Sequence, residues 1–411
     1  MNDQGSTPQQ RRRTFMSAPL HIGLVMQGGA GGMGGSEYIK NLAHALRAAD
    51  PGRADGFEVS LISGQPLDPS WRQELPELRE IIELGPRRGG PVGRFLKLGN
   101  RALAAAVRKA KIDFVYPFTY DNEYNLRVSL PLANSLAPCR WSGWIPDFQH
   151  RELPALFSPR EIAKRDRGIA LLAEDARSIV FSSESAARLF SRFCPGAQAR
   201  AEVLRFCTAP APAWYEGTPD AVQREYHLPD RFFLVSNQLW QHKNHLLMFD
   251  ALALLAARGI RPHVVCTGQP ADFRDKNFIN VVLERLHKNG VASQVSILGL
   301  ISRQQQIQLM RRAIAVVQPS LYEGWSTVIE DARVLGKLMA LSDLDVHQEQ
   351  NPPGARYFER HSAESLAAVL AELWENAQPG PDLAAEAAAR SAAQVAQVAF
   401  GNRFLEIARA Q

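Results

Sequence analysis

The fold and the chemistry of the chain are indicated most clearly by the segment Pro319-Ser-Leu-Tyr-Glu-Gly-Trp-Ser-Thr-Val-Ile-Glu-Asp331. It follows an apolar run at Ala313–Val317 that predicts a buried strand. It leads into Val328–Leu335, where the apolar residues have helical spacing. The segment is therefore predicted to join a strand to a helix, as in a parallel α/β sheet.

The loop of this segment has the residues of a ligand site. A helix N-terminus presents unpaired N–H groups and a partial positive charge, so amides there can receive a diphosphate or sugar hydroxyls. Glu323 and the flexible Gly324 precede these amides, and Asp331 lies eight positions after Glu323. Two carboxylates at this spacing can hold two hydroxyl-rich parts of one ligand. The amides of Trp325, Ser326 and Thr327 can bind the charged group of the ligand between those parts.

This segment resembles the Glu-x7-Glu signature of retaining GT-B glycosyltransferases, the set called glycosyl transferases group 1 (family 4). The resemblance implies that Glu323 contacts the donor sugar and that a second carboxylate holds the ribose of the nucleotide. Asp331 stands where the family usually has glutamate, and Glu330 precedes it, so either is a candidate ribose ligand. The alternative is an ordinary strand–loop–helix whose acids are solvated.

Length predicts two α/β domains, since 411 residues exceed what one compact core holds. We expect a disordered basic tail at 1–17, a Rossmann-like acceptor domain at 18–207, a Pro- and Ala-rich linker at 208–219, a Rossmann-like nucleotide-sugar domain at 220–380 and C-terminal helices at 381–411. The resemblance implies that these helices cross back to the N-terminal domain. No apolar run is long enough to span a bilayer, and the four cysteines lack metal spacing, which favours a reduced, cytoplasmic protein.

Strand and helix patterns alternate along both halves, as expected for parallel sheets. The predicted strands are Ile22–Met26, Glu58–Ile62, Phe114–Tyr116, Trp141–Ile145, Ser178–Phe181, Phe232–Ser236, His263–Thr267, Gln294–Leu298, Ala313–Val317 and Leu338–Leu341. The predicted helices include Glu37–Arg47, Arg94–Lys109, Pro159–Ala173, Glu184–Phe193, Leu246–Ala257 and Leu383–Ala399. With the resemblance, they predict an α/β protein of the GT-B fold, with two Rossmann-like domains whose parallel sheets face an interdomain cleft.

A glycine-rich turn, Gln27-Gly-Gly-Ala-Gly-Gly-Met-Gly-Gly-Ser-Glu37, follows the first predicted strand. It contains G-x-G-x-x-G from Gly29 to Gly34, so an NAD(P)-dependent oxidoreductase is one alternative. That fingerprint expects an acid at the end of the second strand, where this chain has Ser63. In the glycosyltransferase family a Gly-Gly-x-Glu turn lets the backbone approach the donor diphosphate, and Gly34 and Gly35 match its glycines.

A second turn, Asn237-Gln-Leu-Trp-Gln-His-Lys-Asn-His245, lies between the first strand and the first helix of the second domain. A lysine at such a turn can reach into the cleft and offset the diphosphate charge that grows as the sugar leaves. In the family an arginine stands five residues before such a Lys-Asn pair. Lys243 and Asn244 match the pair, whereas Gln238 stands at the arginine position. The alternative is a helix-capping loop with an incidental lysine.

The N-terminal contribution to the chemistry is predicted at Trp144-Ile-Pro-Asp-Phe-Gln-His150, directly after an apolar strand. The segment resembles the family loop where a His-Asp pair meets sugar and acceptor. Asp147 matches the aspartate, Pro146 stands at the histidine position, and His150 comes three residues after Asp147. His150 either replaces the family histidine or is a loop histidine bonded to backbone.

The nucleotide base, a metal ion and the mechanism are also addressed by the sequence. The Gly299–Ile301 turn is the expected base-binding edge, with Ile301 as a contact. Asp343-Leu-Asp345 spells D-x-D, the metal motif of the other glycosyltransferase fold, but its place late in the chain favours coincidence, so no essential metal or cofactor is predicted. His347 and Glu349 are expected at the surface. For retention, the departing phosphate is expected to deprotonate the acceptor, which needs no protein nucleophile.

A basic amphipathic helix is predicted inside Arg87–Lys111, which has eight basic residues and no acidic one. Such a helix can bind an anionic membrane surface, or its apolar side can pack on its own sheet. A catalytically inactive membrane-associated scaffold is therefore a further alternative. Nucleic acid is not an expected partner, because the basic residues are not interleaved with exposed aromatic residues.

The resemblance implies a retaining hexosyltransferase that moves a sugar from a nucleotide-diphosphate sugar to a glycan or lipid-linked acceptor, and we expect it to act in cell-surface polysaccharide synthesis. Mannose from GDP-mannose is the expected donor, with UDP-sugars as the alternative. The enzyme is expected in the cytoplasm, with peripheral binding at the inner face of the membrane.

Overall fold

The computed structural model describes residues 19–27, 33–50, 56–85, 98–120, 126, 128, 130–272 and 274–411. The predicted tail at 1–17 and five residues of the glycine-rich turn, 28–32, lie outside these residues. Two sheets of parallel strands form the framework, one within residues 20–203 and the other within residues 232–358. The predicted α/β fold class with two Rossmann-like parts is confirmed.

The first sheet has seven strands: β1 (Leu20–Val25), β2 (Phe57–Ser63), β3 (Glu80–Glu83), β4 (Phe114–Phe118), β5 (Arg140–Trp144), β6 (Ser178–Phe181) and β7 (Arg200–Val203). The helices of this part are α1 (Met33–Ala49), α2 (Pro69–Gln73), α3 (Leu98–Ala110), α4 (Ala133–Leu136), α5 (Gln149–Glu152), α6 (Pro159–Asp175) and α7 (Glu184–Phe193). The strand order is β3-β2-β1-β4-β5-β6-β7. The direction of this order reverses between β1 and β4. In parallel α/β sheets, ligands bind at such a switch point, outside the carboxyl ends of the strands.

The second sheet has six strands: β8 (Phe232–Ser236), β9 (His263–Thr267), β10 (Val295–Gly299), β11 (Val316–Gln318), β12 (Met339–Ser342) and β13 (Arg356–Phe358). Its helices are α8 (Ala213–Glu216), α9 (Pro219–Glu225), α10 (His245–Ala257), α11 (Phe278–Lys288), α12 (Arg303–Arg312), α13 (Thr327–Val334), α14 (Asp345–Gln350), α15 (Ala363–Asn376) and α16 (Leu383–Arg409). The order is β10-β9-β8-β11-β12-β13, which reverses between β8 and β11. The loops after β8 and β11 therefore meet at the switch point of this sheet.

Three observed strands, β3, β7 and β13, are absent from the sequence prediction. All three lie at sheet edges. Edge strands are short and expose polar side chains, so they lack the continuous apolar run of a central parallel strand. Glu80 and Glu83 at the ends of β3 are exposed, for example, whereas all five residues of β8 are buried.

The last helix, α16, packs against both parts of the molecule. Near its start, Glu386 forms a buried ion pair with Arg311 of α12, with 2.7 Å between Oε1 and Nε. Further along, a Cβ added to Gly401 would lie 2.3 Å from the Ala45 carbonyl oxygen, so only glycine permits this contact with α1. Phe404 is fully buried in the core of the first sheet, and burial of such a side chain contributes about 1.5–3 kcal/mol.

The basic helix predicted at Arg94–Lys109 corresponds to α3, while 94–97 lie outside the described residues. Leu103 and Val107 of α3 are buried in the core of the first sheet, and Arg101 and Arg108 are exposed. The apolar side of this described part thus packs on its own sheet. Within the described residues, no helix is long and apolar enough to cross a membrane.

Candidate functional site

A cleft of about 490 Å³ is lined by residues of both parts of the molecule. Most of these residues follow the carboxyl ends of strands in the two sheets, which is where the switch points place ligand-binding loops. The structure brings together twelve of the predicted site residues in this cleft: Gly34, Gly35, Asp147, Gln238, Lys243, Ile301, Glu323, Gly324, Trp325, Ser326, Thr327 and Asp331. His150 and Glu330 do not line it.

An ion pair in the cleft joins Lys243 and Glu323, with 2.6 Å between Nζ and Oε1. The same carboxylate oxygen accepts hydrogen bonds from Ser320 Oγ (2.7 Å) and Gln318 Nε2 (2.9 Å). Burial alone would raise the pKa of Glu323, but the Lys243 ammonium and the hydrogen bonds outweigh it and lower the pKa below its usual value. Glu323 is therefore held as a carboxylate in a fixed orientation.

The loop that carries Glu323 touches the first part of the molecule through Gly324. A Cβ added to Gly324 would lie 2.1 Å from the Pro146 carbonyl oxygen, so no larger residue fits there. The Gly324 carbonyl oxygen accepts a hydrogen bond from Ser183 Oγ (3.0 Å), and Tyr322 OH accepts one from the Phe148 amide (2.8 Å). Gly324, which the sequence predicts as a flexible ligand contact, is therefore also a contact between the two parts of the molecule.

The amides at the start of α13 differ in part from the sequence prediction. The Ser326 amide donates to Gln350 Oε1 (3.1 Å), so this N–H is used within the protein instead of receiving a ligand. Ser326 Oγ caps the helix by accepting from the Ile329 amide. Trp325 and Thr327 line the cleft, and Trp325 Nε1 donates to the Phe206 carbonyl oxygen (3.0 Å).

The two candidate ribose ligands point in different directions. Asp331 lines the cleft, and its Oδ1 accepts from Thr208 Oγ1 (2.9 Å) and from an Arg303 guanidinium nitrogen (2.7 Å). Glu330, one position earlier on α13, accepts from Gln350 Nε2 (2.8 Å) and pairs with Arg333 (3.2 Å). Consecutive helical residues cannot share a face, so the structure leaves Asp331 as the ribose candidate.

His150 is placed away from the cleft. It lies on the short helix α5, is only 1% exposed, and its Nε2 bonds Asp166 Oδ1 (3.1 Å). Its ring packs near those of Phe148 and Phe157. The predicted role of His150 toward the sugar is not supported by this position, because the turn of α5 directs the ring into the first part. Gln149, one residue earlier, lines the cleft instead.

The D-x-D segment and its neighbours act in ion pairs and packing. Asp343 pairs with Arg360 (2.8 Å) and Asp345 with Arg188 (3.3 Å). His347 is fully buried, which contradicts the expected surface position, and its burial lowers its pKa to about 4.

No group of three or more His, Cys, Asp or Glu that could hold a metal occurs in the described part of the chain, and a metal-independent reaction remains a prediction.

Two arginines of the cleft region are missing from the sequence prediction. Arg303 lines the cleft beside Asp331. Arg274 donates to Gln149 Oε1 (3.1 Å) across the two parts and pairs with Asp272 (3.0 Å). Neither belongs to a recognised motif. Arg303 lies 28 positions from Asp331, and Arg274 lies 125 positions from Gln149. Only the arrangement of the folded chain shows their position.

Solved structures with a similar fold include glycosyltransferases. HepE from Anabaena, solved with UDP and glucose, is 17% identical with a TM-score of 0.64, over 95% of this chain and 100% of that chain. Sucrose-phosphate synthase from Thermosynechococcus elongatus is 15% identical with a TM-score of 0.67, over 95% and 98% of the two chains. An α,α-trehalose-phosphate synthase (UDP-forming) from Burkholderia vietnamiensis is 15% identical with a TM-score of 0.60, over 95% and 100%. A sequence comparison with curated proteins finds no match.

Two Rossmann-like parts with parallel sheets that face such a cleft have the GT-B fold, which these solved structures share. Residues 221–392, within the second part of the molecule, match the family model Glycosyl transferases group 1. Lys243, Glu323 and Asp331 all lie inside the matched range. The resemblance to this group and the enzyme class predicted from the sequence are confirmed.

Proposed function

We propose that the chain is a retaining glycosyltransferase of family 4 that transfers a hexose from a nucleotide-diphosphate sugar to a glycan or lipid-linked acceptor. The observation that carries this proposal is the Lys243–Glu323 pair in the cleft, between the loops after β8 and β11. The matched family and the ligands of a similar structure, HepE with UDP-glucose, support a nucleotide sugar as donor.

In this proposal Lys243 neutralises the diphosphate. An ammonium group has three N–H donors, and Glu323 uses one of them, so the others can bind phosphate oxygens. Negative charge on the diphosphate grows as the bond to the sugar breaks, and a fixed cation lowers the energy of that state more than that of the bound substrate. Gly34 and Gly35, which line the same cleft, would let the backbone come close to the diphosphate.

Glu323 would hold the donor sugar. An ionised carboxylate only accepts hydrogen bonds, and its Oε1 already has three donors. Its other oxygen would accept from the sugar hydroxyls. Retention of configuration then follows from attack on the face that the diphosphate leaves, with the departing phosphate taking the acceptor proton. Asp147, on the opposing loop of the cleft, would face the sugar and the acceptor.

The two alternatives from the sequence are weaker. An oxidoreductase would bind NAD(P) at the glycine-rich turn, but β2 ends at Ser63, where the acid that binds the cofactor ribose is expected. An inactive scaffold would have no need for Lys243 and Glu323 to lie 2.6 Å apart in a cleft. Both alternatives give distinct results in the binding experiment below.

The finer parts of the proposal are the donor, the pathway and the location. GDP-mannose remains our expected donor, and UDP-glucose is the alternative favoured by the ligands of HepE. Synthesis of a cell-surface polysaccharide in the cytoplasm, at the inner face of the membrane, remains the expected setting. The exposed Arg101 and Arg108 of α3 would provide the contact with anionic lipid, and sedimentation with anionic vesicles tests it.

The first test is calorimetric binding of UDP, GDP, ADP and NAD to the purified protein without added metal. We expect one nucleoside diphosphate to bind selectively. Lys243→Ala should weaken that binding by about ten- to a hundredfold, the loss expected for hydrogen bonds to a charged group. Binding of NAD alone would favour the oxidoreductase, and no binding at all would favour the scaffold.

The second test is turnover of the Glu323→Gln variant with the donor identified in this way. We expect the rate of sugar transfer to fall at least about a hundredfold, as when one group that stabilises a transition state is removed. The matched control is Glu372→Gln, which alters a glutamate paired with Arg356 at the surface of the same domain. Near-normal turnover of a folded Glu323→Gln protein would remove the central claim.

A further inference from the structure

We propose that Arg274 is a positioning residue, and that it orients two uncharged N–H donors, His242 Nε2 and Gln149 Nε2, toward hydroxyl oxygens of the sugar that is transferred. The proposal rests on the proposed function, since it concerns the sugar of that donor. It adds two sugar-binding residues to the cleft, one from each part of the molecule, and the residue that holds both.

Arg274 is fixed where the two parts of the molecule meet. Its guanidinium pairs with Asp272, with 3.0 Å from Nε to Oδ1 and 3.2 Å from Nη2 to Oδ2, and the two side chains are 7% and 2% exposed. The guanidinium carbon lies 5.5 Å from the centre of the Phe157 ring, in the first part, and 5.2 Å from that of the Trp240 ring, in the second. A planar guanidinium held by two carboxylate oxygens and two rings has one orientation.

This orientation of Arg274 determines which nitrogen of His242 carries the proton. Arg274 Nη2 lies 3.1 Å from His242 Nδ1. Arginine has only donors, so Nδ1 must accept, and the single N–H proton of the neutral imidazole is then on Nε2. Burial, together with the charges of Lys243 and Arg274, lowers the pKa of His242 well below its usual value and keeps the ring neutral. His242 Nε2 is therefore a hydrogen-bond donor without a charge.

The same guanidinium determines the orientation of the Gln149 amide. Arg274 Nη1 donates to Gln149 Oε1 (3.1 Å), so the amide oxygen faces Arg274 and the NH₂ group, on Nε2, points away from it. His242 and Gln149 both line the cleft, one in the turn after β8 and the other at the start of α5. Neither Nε2 atom has a hydrogen-bond partner within the described residues, and neither is a buried atom. Both nitrogens are accessible to a ligand that accepts hydrogen bonds.

A sugar hydroxyl matches the surroundings of these two donors. The backbone amide of Gln149 donates to Asp147 Oδ1 (2.9 Å), so a carboxylate and the Gln149 side chain lie on one short stretch of the cleft wall. A hydroxyl group both donates and accepts, so it can use the two together. A phosphate would be repelled by Asp147, and Lys243 is the cation left for it. His242 directly precedes Lys243, so a diphosphate bound there brings its sugar close to His242.

A lysine at position 274 separates the charge of Arg274 from its geometry. It would keep a positive charge beside Asp272, but it has one nitrogen where arginine has three. This nitrogen cannot pair with Asp272 and also hold His242 and Gln149. The proton of His242 could then move to Nδ1, and the Gln149 amide could rotate. Both N–H donors would lose their fixed direction toward the sugar.

The first measurement compares Arg274→Lys with the wild type by calorimetry, with UDP, GDP, UDP-glucose and GDP-mannose as ligands. We expect affinity for the nucleoside diphosphate to change less than about twofold, because it contains no hexose. Affinity for the matching nucleotide sugar should fall about tenfold, the effect of two hydrogen bonds between uncharged groups. The matched control is Arg285→Lys, which alters an arginine that pairs with Asp250 outside the cleft and should keep both wild-type affinities.

The second measurement separates positioning from a purely structural role. Nitrogen NMR of the histidine rings should show His242 as the Nε2–H tautomer in the wild type and as a mixture of tautomers in Arg274→Lys. The double variant His242→Phe with Gln149→Met removes both donors. Adding Arg274→Lys to this double variant should not weaken binding of the nucleotide sugar any further, since Arg274 acts through the two side chains that are gone.

Each outcome supports or overturns the inference. An equal loss of affinity for the nucleoside diphosphate and the nucleotide sugar in Arg274→Lys would overturn it and leave the proposed function standing. A wild-type His242 that carries its proton on Nδ1 would do the same, as would a wild type that binds a nucleoside diphosphate but neither nucleotide sugar.

If Arg274→Lys does not fold, the double variant His242→Phe with Gln149→Met decides. Wild-type affinity for the nucleotide sugar in that protein would overturn the inference. Failure of the folded wild type to bind any nucleoside diphosphate would overturn the proposed function and this inference with it.

Discussion

At the scale of single residues, three buried histidines are held neutral by burial, and one of them, His242, lines the cleft. Burial lowers the pKa of His347 to about 4 and that of His245 to about 3, and it lowers the pKa of His242 as well. His347 Nδ1 lies 3.0 Å from the Ser342 carbonyl oxygen. A proton added to any of them would have to enter a site that already contains the Lys243 ammonium.

This burial predicts acid sensitivity of the fold. The pKa of His347 is lower in the folded than in the unfolded chain, so the unfolded chain binds more protons and stability rises with pH between about 4 and 6.5. The contribution of neutral His347 to the free energy of unfolding is complete above about pH 6.5, and about 2 kcal/mol of this contribution is lost at pH 5. The free energy of unfolding of His347→Gln, measured in urea, should therefore fall less than that of the wild type between pH 7 and pH 5. The same fall in both proteins would show that His347 does not titrate in this way.

At the scale of elements, helix α1 begins with glycines although glycine is a poor helix former. Gly34 and Gly35 lie in the first turn of α1 and line the cleft. A Cβ added to Gly34 would meet no atom of the described chain within 4 Å. Packing therefore does not require glycine here, which agrees with the proposed approach of a diphosphate to this backbone.

The Gly34→Ala variant separates stability from binding. Alanine in a helix is favoured over glycine by up to about 1 kcal/mol, so the variant should be as stable as the wild type or more stable. Its methyl group would project toward the ligand, and we expect at least about tenfold weaker binding of the nucleotide sugar, measured by calorimetry, with an unchanged or raised melting temperature. Unchanged affinity would show that the diphosphate does not come close to Gly34.

Elements that carry a local motif were predictable from the sequence, and elements defined by distant contacts were not. The turns with Lys243 and Glu323 each lie between a strand and a helix, so their residue types and spacing were sufficient to predict them. The position of His150 could not be predicted, because the four-residue helix α5 turns its ring toward Asp166 and no spacing in the sequence indicates this turn. Arg303 could not be predicted, because the residue that it meets, Asp331, lies on the helix of a separate strand–loop–helix unit.

At the scale of the whole molecule, a carboxylate of the second part caps a helix of the first. Glu349 on α14 accepts hydrogen bonds from the backbone amides of Glu184 (2.9 Å) and Ser185 (3.3 Å) at the start of α7. It also pairs with Arg205, with 2.7 Å between Oε1 and Nε. A negative charge is favourable at a helix N-terminus, so this contact stabilises the present arrangement of the two parts.

Loss of this contact should affect turnover more than nucleotide binding. In Glu349→Ala the arrangement would lose about 1 kcal/mol, the usual effect of removing a helix cap, so we expect sugar transfer to slow about fivefold. Affinity for the nucleotide should stay the same, because Glu349 does not line the cleft. Small-angle scattering should show a larger radius of gyration, and Glu372→Ala is the control with neither effect. A slower variant with weaker nucleotide binding would contradict this account.

The segment predicted as the linker also contacts two residues that line the cleft. Thr208 donates to Asp331, and the Trp214 ring lies against Arg303. For the construction of hybrid enzymes, the unit of exchange is therefore longer than the second sheet and its helices. A hybrid that takes its donor specificity from this enzyme should carry residues 208–216 along with the second part, and a junction placed after them would separate the donor site from two of its own supports.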